Sequence, residues 1–267
     1  MRTVLVTGAA GRVGGVIRPR LRERYALRLL DRAPVLDVTA GEVARQGDLL
    51  DAPFLDASMN GVDAVVHLAC VHAYDIPFEG TLDANYRTLL HVLDASVRHG
   101  VRRFVYTSSH HVHGLHPRSG FSGDEASLAP DGFYALSKAF GEAACALYAH
   151  RFDLPTLVIR VGNADPLVGD DRRMRLWTSG RDLADLITIG FEHPDVRYDV
   201  VYGVSQCEGG LYANVRAGEL GYAPHDDARD HLAPDFAPYE RMRERDGRDF
   251  VGGPYVATAL PGPGVPS

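Results

Sequence analysis

The sequence predicts an α/β fold, a doubly wound parallel sheet, on three observations. Apolar runs of strand length alternate with longer segments of helical period. The first run, "RTVLVTG", leads straight into glycines at positions 8, 11 and 14 and then into a helical segment. The runs are short and apolar enough for strands buried on both faces.

Residues 2–8 form the first strand and 12–24 its helix, within which Pro19 removes a hydrogen bond and should kink or shorten the helix. "ALRLLD" (26–31), "VARQGD" (43–48) and "DAVVHLA" (63–69) are the second, third and fourth strands. Residues 78–99 place Leu82, Leu89, Leu90, Leu93 and Val97 at helical spacing, with Gly100 where a helix-ending glycine belongs. "RRFVYTS" is the fifth strand, 133–150 a helix, "PTLVIRVG" the sixth strand, and 181–191 a helix whose Leu183, Leu186 and Ile187 face inward. Beyond about residue 192 the pattern weakens, and the tail "LPGPGVPS" reads as a loosely held terminus. No repeat or linker divides the chain, so 1–267 reads as a single domain.

A formal charge of −7 argues against general affinity for nucleic acid or an anionic membrane, both of which need a concentrated excess of Lys and Arg. No apolar run approaches the ~18 residues of a membrane span, and the chain enters a strand pattern at once, so a cytoplasmic enzyme is expected. Cys70, Cys145 and Cys207 are odd in number and widely spaced, unlike a disulfide framework, and read as reduced core thiols.

Gly8, Gly11 and Gly14, between a strand and a helix, let backbone amides approach a pyrophosphate whose charge the helix N-terminus then holds, as in a Rossmann fold. Asp31, at the end of the second strand, stands where an acid would bond the adenosine ribose hydroxyls and repel a 2′-phosphate. NAD is therefore favoured over NADP, although Arg32 beside it works the other way.

"YALSK" spaces Tyr134 and Lys138 four apart on one helix face, where an ammonium would lower the tyrosine pKa and fit it for general acid–base work. Ser109 ends the fifth strand, and ligands bind at strand carboxyl ends in open parallel sheets. His110, His111, His113 and His116 crowd "YTSSHHVHGLHP" and raise the question of zinc. No Cys or acid sits at ligand spacing, and adjacent His110 and His111 should diverge, so no metal is expected.

"TGAAGRVG", "GDLLD", "HLA", Asn85, "YTSS", "YALSK" and "RVGN" resemble the extended, epimerase-like branch of the short-chain dehydrogenase/reductase superfamily. That resemblance implies a hydride-transfer triad of Ser109, Tyr134 and Lys138. It also implies NAD contacts at Gly8, Gly11, Arg12, Val13, Gly14, Asp31, Asp48, Leu49, Leu68, Ala69, Asn85, Tyr134 and Lys138.

Within the branch, "SSHHVHGLHP", "DGFYALSKAFGE", "RRMRLWTSGRDLADLI", "VVYGVS", "LGYAPHDDA" and "FVGGPYV" are similar to the uronate dehydrogenases, which oxidise C1 of galacturonate or glucuronate to the aldarolactone. The resemblance implies sugar-acid contacts at His72, Ser109, His110, His111, Asn163 and Arg173, with Arg173, or Arg172 one register away, gripping the carboxylate. It further implies a small substrate-binding lobe at about 162–260, and a homo-oligomer built on helices 78–99 and 133–150.

Three departures stand out: His110 replaces a family Asn, Asn163 a family Ser, and "CVHAYDIPF" is one residue longer and lacks a serine near His72. Changed polar contacts change which hydroxyls are accepted, which leaves open a sugar epimerase or dehydratase, or a dehydrogenase of another small sugar or polyol. A non-catalytic NAD sensor is disfavoured by the intact Ser109, Tyr134 and Lys138.

Overall fold

The computed structural model describes residues 1–123 and 126–261. Seven strands form one parallel sheet: β1 (Thr3–Thr7), β2 (Ala26–Asp31), β3 (Glu42–Gln46), β4 (Ala64–His67), β5 (Arg103–Ser109), β6 (Thr156–Val161) and, after a short β7 (Val168–Asp170), β8 (Tyr198–Gly203). Their order is β3-β2-β1-β4-β5-β6-β8, and every neighbouring pair is parallel. β7 pairs with β9 (Leu232–Ala237) in a small second sheet.

Helices cover both faces, because strands buried on two sides need apolar partners above and below. On one face α1 (Arg12–Leu21) and, later in the chain, a helix at Gly180–Glu192 enclose Ile17, Leu21, Leu183 and Ile187 with Val4, Val6 and Leu29. On the other lie α2 (Ala52–Met59), a long helix made of α3 (Phe78–Thr81), a π-helical turn at Leu82–Arg87 and α4 (Thr88–Arg98), and α5 (Phe133–Phe152). They enclose Leu5, Leu55, Leu93, Phe104, Cys145 and Val158. Three short helices, α6 (Asp171–Met174), α8 (Val215–Glu219) and α9 (Pro254–Ala257), flank α7, the Gly180–Glu192 helix, in chain order.

The chain winds outward from β1 to β3 and then crosses back to β4, so the carboxyl ends of β1 and β4 diverge into a crevice. This is the doubly wound sheet the alternation predicts. Among the described residues no helix is long and apolar enough to cross a membrane.

Several expectations need correction. α1 runs through Pro19 and ends at Leu21 rather than residue 24; the bond lost is the one to the Gly15 carbonyl, which a ten-residue helix tolerates. β3 is an edge strand with Val43 62% exposed, so it is not buried on both faces. α2, capped by Asp51 accepting from the Phe54 amide at 3.2 Å, was not anticipated, and neither was β8 in the region where periodicity weakens. The three cysteines are unpaired, but only Cys145 is a core thiol, and Cys70 lines the crevice. Of the tail, only Leu260 and Pro261 are described, so the loose terminus lies outside the described residues.

Candidate active site

The crevice has a volume of about 420 Å³ and is walled by Gly8, Gly11, Arg12, Val13, Asp31, Asp48, Leu49, Leu68, Ala69 and His72, among others. Gly8 adopts φ +71°, and a Cβ there would stand 2.6 Å from the Ala69 nitrogen. At Gly14 a Cβ would come within 2.5 Å of the Ala9 carbonyl oxygen, so both positions require glycine. No side chain caps the N-terminus of α1, which leaves its first amides open to the crevice for an anion.

Asp31 accepts from the Ala10 amide and the Ala33 amide, both at 2.9 Å, tying the glycine loop to the end of β2. Asp48 accepts from the Leu50 amide at 2.9 Å and presents the "GDLL" backbone at the same wall. A glycine cradle, open helix amides and a carboxylate beyond them fit a dinucleotide, with pyrophosphate at Gly8–Gly14 and ribose at Asp31.

Asn85, expected to contact NAD, is held by protein groups at the edge of the crevice. Its Oδ1 accepts from the Val71 amide at 2.8 Å, while Nδ2 donates to the Val71 carbonyl at 3.0 Å and to Ser137 Oγ at 2.8 Å. With its amide so engaged, it ties the loop after β4 to the helix of Tyr134 and Lys138. The π-helical turn that carries it is a distortion common at functional sites.

Ser109 is buried at the end of β5, and Tyr134 stands in the first turn of α5. Lys138, one turn on and 3% exposed, donates from Nζ to the Thr107 carbonyl at 2.7 Å and lies 5.7 Å from the Tyr134 ring centroid. Burial pushes the Tyr134 phenol well above its ordinary value, with Ser109 pulling the other way. The lowering expected from Lys138 is thus not what governs this phenol; desolvation is.

Four rings gather beside Tyr134. His72 lies 5.8 Å and His111 6.1 Å from it, His110 is 4.1 Å from His111, and Tyr255 is 3.9 Å from His111. Burial holds His110 and His111 well below the ordinary imidazole pKa, so both are neutral. His110 Nδ1 faces the Val161 carbonyl at 3.1 Å and must donate to it, which leaves Nε2 to accept from Arg172 at 3.5 Å. His111 Nδ1 faces Asp131 Oδ2 at 2.6 Å. His113 is buried between Phe121 and Tyr202, outside this group. Among the described residues no three His, Cys, Asp or Glu are grouped to hold a metal.

The two adjacent arginines differ in their partners. Arg173 NH1 donates to Asp170 Oδ2 at 2.6 Å, so its charge is already met. Arg172 is 5% exposed, donates to the Val251 carbonyl at 3.0 Å, pairs with no carboxylate among the described residues, and its buried Nε has no partner. Gly253 makes room for it, since a Cβ there would stand 2.5 Å from Arg172 Nε. Asn163 donates to Asp165 Oδ2 at 3.0 Å, and Asp165 in turn pairs with Arg12 across the crevice mouth. Asn163 and Arg173 therefore belong to an Asp165–Asp170 cluster.

Sequence reasoning missed Asp131 and Tyr255. Both lie in stretches that looked informative, "DGFYALSK" and "FVGGPYV", but no spacing rule links either residue to a strand end.

Residues 4–165 match the family model of the NAD dependent epimerase/dehydratase family. The chain is 34% identical over 257 residues to a uronate dehydrogenase of Pseudomonas syringae pv. tomato, covering 96% of this chain and 93% of that protein. It superposes on a uronate dehydrogenase from Agrobacterium tumefaciens complexed with NAD at a TM-score of 0.87, with 33% identity over 97% of this chain and 98% of that one. A glucuronic acid dehydrogenase from Chromohalobacter salexigens gives the same TM-score of 0.87 at 33% identity, covering 97% of each chain. With its glycine cradle, parallel sheet and Ser–Tyr–Lys group in place, the chain belongs to the NAD dependent epimerase/dehydratase family.

Proposed function

We propose that this protein oxidises C1 of a hexuronic acid, of the galacturonate or glucuronate type, to the aldarolactone with NAD. Support comes from its similarity along nearly the whole chain to uronate dehydrogenases. The observation that carries the substrate class is Arg172, a buried guanidinium that pairs with no carboxylate among the described residues and reaches His110 Nε2. A buried charge is stable when paired, and a planar guanidinium matches a carboxylate through two parallel hydrogen bonds. Arg172 is therefore the better candidate for gripping the substrate than Arg173.

NAD, when bound in the crevice, supplies the two-electron oxidant that takes hydride from C1. Gly8, Gly11, Gly14 and the α1 amides would hold its pyrophosphate, and Asp31 its adenosine ribose. Tyr134 is the base that takes the proton of the C1 hydroxyl, with Ser109 pulling its phenol down against burial and holding the reacting oxygen through the change in its charge. Lys138, already anchored to Thr107, supplies the nearby positive charge that favours the phenolate. His111, and His72 across the crevice, are placed to bond sugar hydroxyls. The region from about 162 to 260 acts as the substrate lobe through Arg172 and Tyr255. Exposed Leu136, Leu147 and Phe152 on α5 fit assembly into a homo-oligomer, which sedimentation would measure.

The test is a panel of uronic acids and neutral aldoses with NAD and NADP, read by reduced-nicotinamide absorbance. Net NADH from a uronic acid is expected, and Arg172→Met should raise KM for it by about 50-fold, the loss of a charge-assisted pair. No net NADH from any uronic acid, or turnover confined to neutral sugars, would sink the proposal.

A further inference from the structure

We propose that Asp131 is a positioning residue for sugar recognition: it fixes His111 as the tautomer with its proton on Nδ1, so that Nε2 meets the substrate as a hydrogen-bond acceptor. This rests on the reading that His111 touches the sugar.

The pair is built from three distant segments. Asp131 is 5% exposed and its Oδ2 stands 2.6 Å from His111 Nδ1. Two glycines are hollowed around that same oxygen: a Cβ at Gly114 would lie 1.8 Å from it, and one at Gly252 2.1 Å. The Gly252 amide donates to the Gly114 carbonyl at 2.9 Å and closes the cradle. A side chain on either glycine would displace the carboxylate, so the backbone holds Asp131 against His111. A carboxylate can only accept, which forces the ring proton onto Nδ1. Nε2 then selects a substrate hydroxyl that donates, and a deoxy or O-methyl analogue at that position would be rejected.

The groups around Asp131 are His111 on the 110–113 turn, Arg172 on α6, Tyr134 on α5, Tyr212 and Tyr255. Burial pushes the carboxyl up to about 7, against the pull of Arg172. When Asp131 takes a proton from solvent, its O–H donates to Nδ1 and the ring proton moves to Nε2, which turns the acceptor into a donor. Uronate KM should therefore rise as pH falls through about 7.

The tautomer can be read without any substrate, by long-range proton–nitrogen correlation of the imidazoles with His111 assigned from a His111→Asn spectrum. We expect Nδ1–H at pH 8 in the wild type, a mixture of tautomers in Asp131→Ala, and Nδ1–H restored in Asp131→Asn, whose amide oxygen still accepts. In kinetics, Asp131→Ala should raise uronate KM roughly tenfold with a smaller effect on kcat and none on KM for NAD. Asp131→Asn should recover most of that loss and abolish the acid limb of KM, which a merely structural carboxylate would not do. An Nε2–H tautomer in the wild type at pH 8, or an unchanged tautomer and KM limb in both variants, overturns the proposal. An unchanged KM in His111→Ala would instead overturn the reading that His111 touches the sugar, while the tautomer spectra still decide the role of Asp131.

Discussion

Tyr134 and Asp31 show how much one side chain can carry here. Tyr134 is the proposed base, beside His72 of the crevice wall, and removing its oxygen takes away the group that would accept the C1 proton. Tyr134→Phe should cut kcat by at least about 10³-fold, the scale of a lost general base, while NAD affinity measured by calorimetry stays within a few-fold. Asp31 is proposed to hold the adenosine ribose, and its carboxylate also accepts the Ala10 and Ala33 amides. Asp31→Ala should therefore weaken NAD by about tenfold or more without a compensating gain for NADP, because the loop it holds loosens too. Unchanged KM for NAD would contradict this double role.

At the scale of elements, the contact between α1 and α7 is set by a single glycine. Gly180 opens α7, and a Cβ there would stand 2.5 Å from the Val16 carbonyl oxygen, so the two helices can approach only where no side chain intervenes. Gly180→Ala must push the helices apart, and overpacking of this kind costs about 1–3 kcal/mol. Urea unfolding should register that loss, and a midpoint equal to wild type would show that the helices shift freely. α1 also carries the uncapped amides proposed to hold the pyrophosphate, so the same variant should weaken NAD more than it weakens the sugar acid. The π-helical turn between α3 and α4 works similarly, since it seats Asn85 to reach both Val71 and Ser137.

For the whole molecule, the buried imidazoles make stability depend on pH. Burial lowers His67 and His113 to about 3 and holds His110 and His111 well below their ordinary range. These four stay neutral in the folded chain, so above about pH 6.5 they cost nothing, and as pH falls below that value the unfolded chain gains protons the folded chain cannot. Asp131, raised to about 7, acts in the opposite sense and offsets one of the four. Stability therefore falls as pH drops below about 6.5, and His67 and His113, held down to about 3, keep it falling toward pH 4. A melting temperature that stayed flat from pH 7 to 5 would show these rings to be solvated. Truncation after Asp249 removes the Val251 carbonyl that holds Arg172 and the Tyr255 ring against His111. That variant should bind NAD but lose uronate oxidation, as seen by calorimetry beside the absorbance assay.

What was legible in the chain was whatever depends on near neighbours. Strand and helix alternation, the glycines after β1, Asp31 after β2, and Tyr134 with Lys138 four apart all follow from local periodicity and the size of glycine, and their fold and cofactor cleft came with them. Less could be read where burial overrides local preference, as in β8, or where a proline sits in a helix that packing holds together anyway. The substrate end was decided only in three dimensions. His110 meets Arg172 across 62 positions, Arg172 meets Val251 across 79, and Asp131 reaches His111 across 20. Adjacent Arg172 and Arg173 look alike in sequence. Folding buries one with no acid paired to it among the described residues and hands the other to Asp170, because a charge's role depends on what the tertiary structure sets beside it.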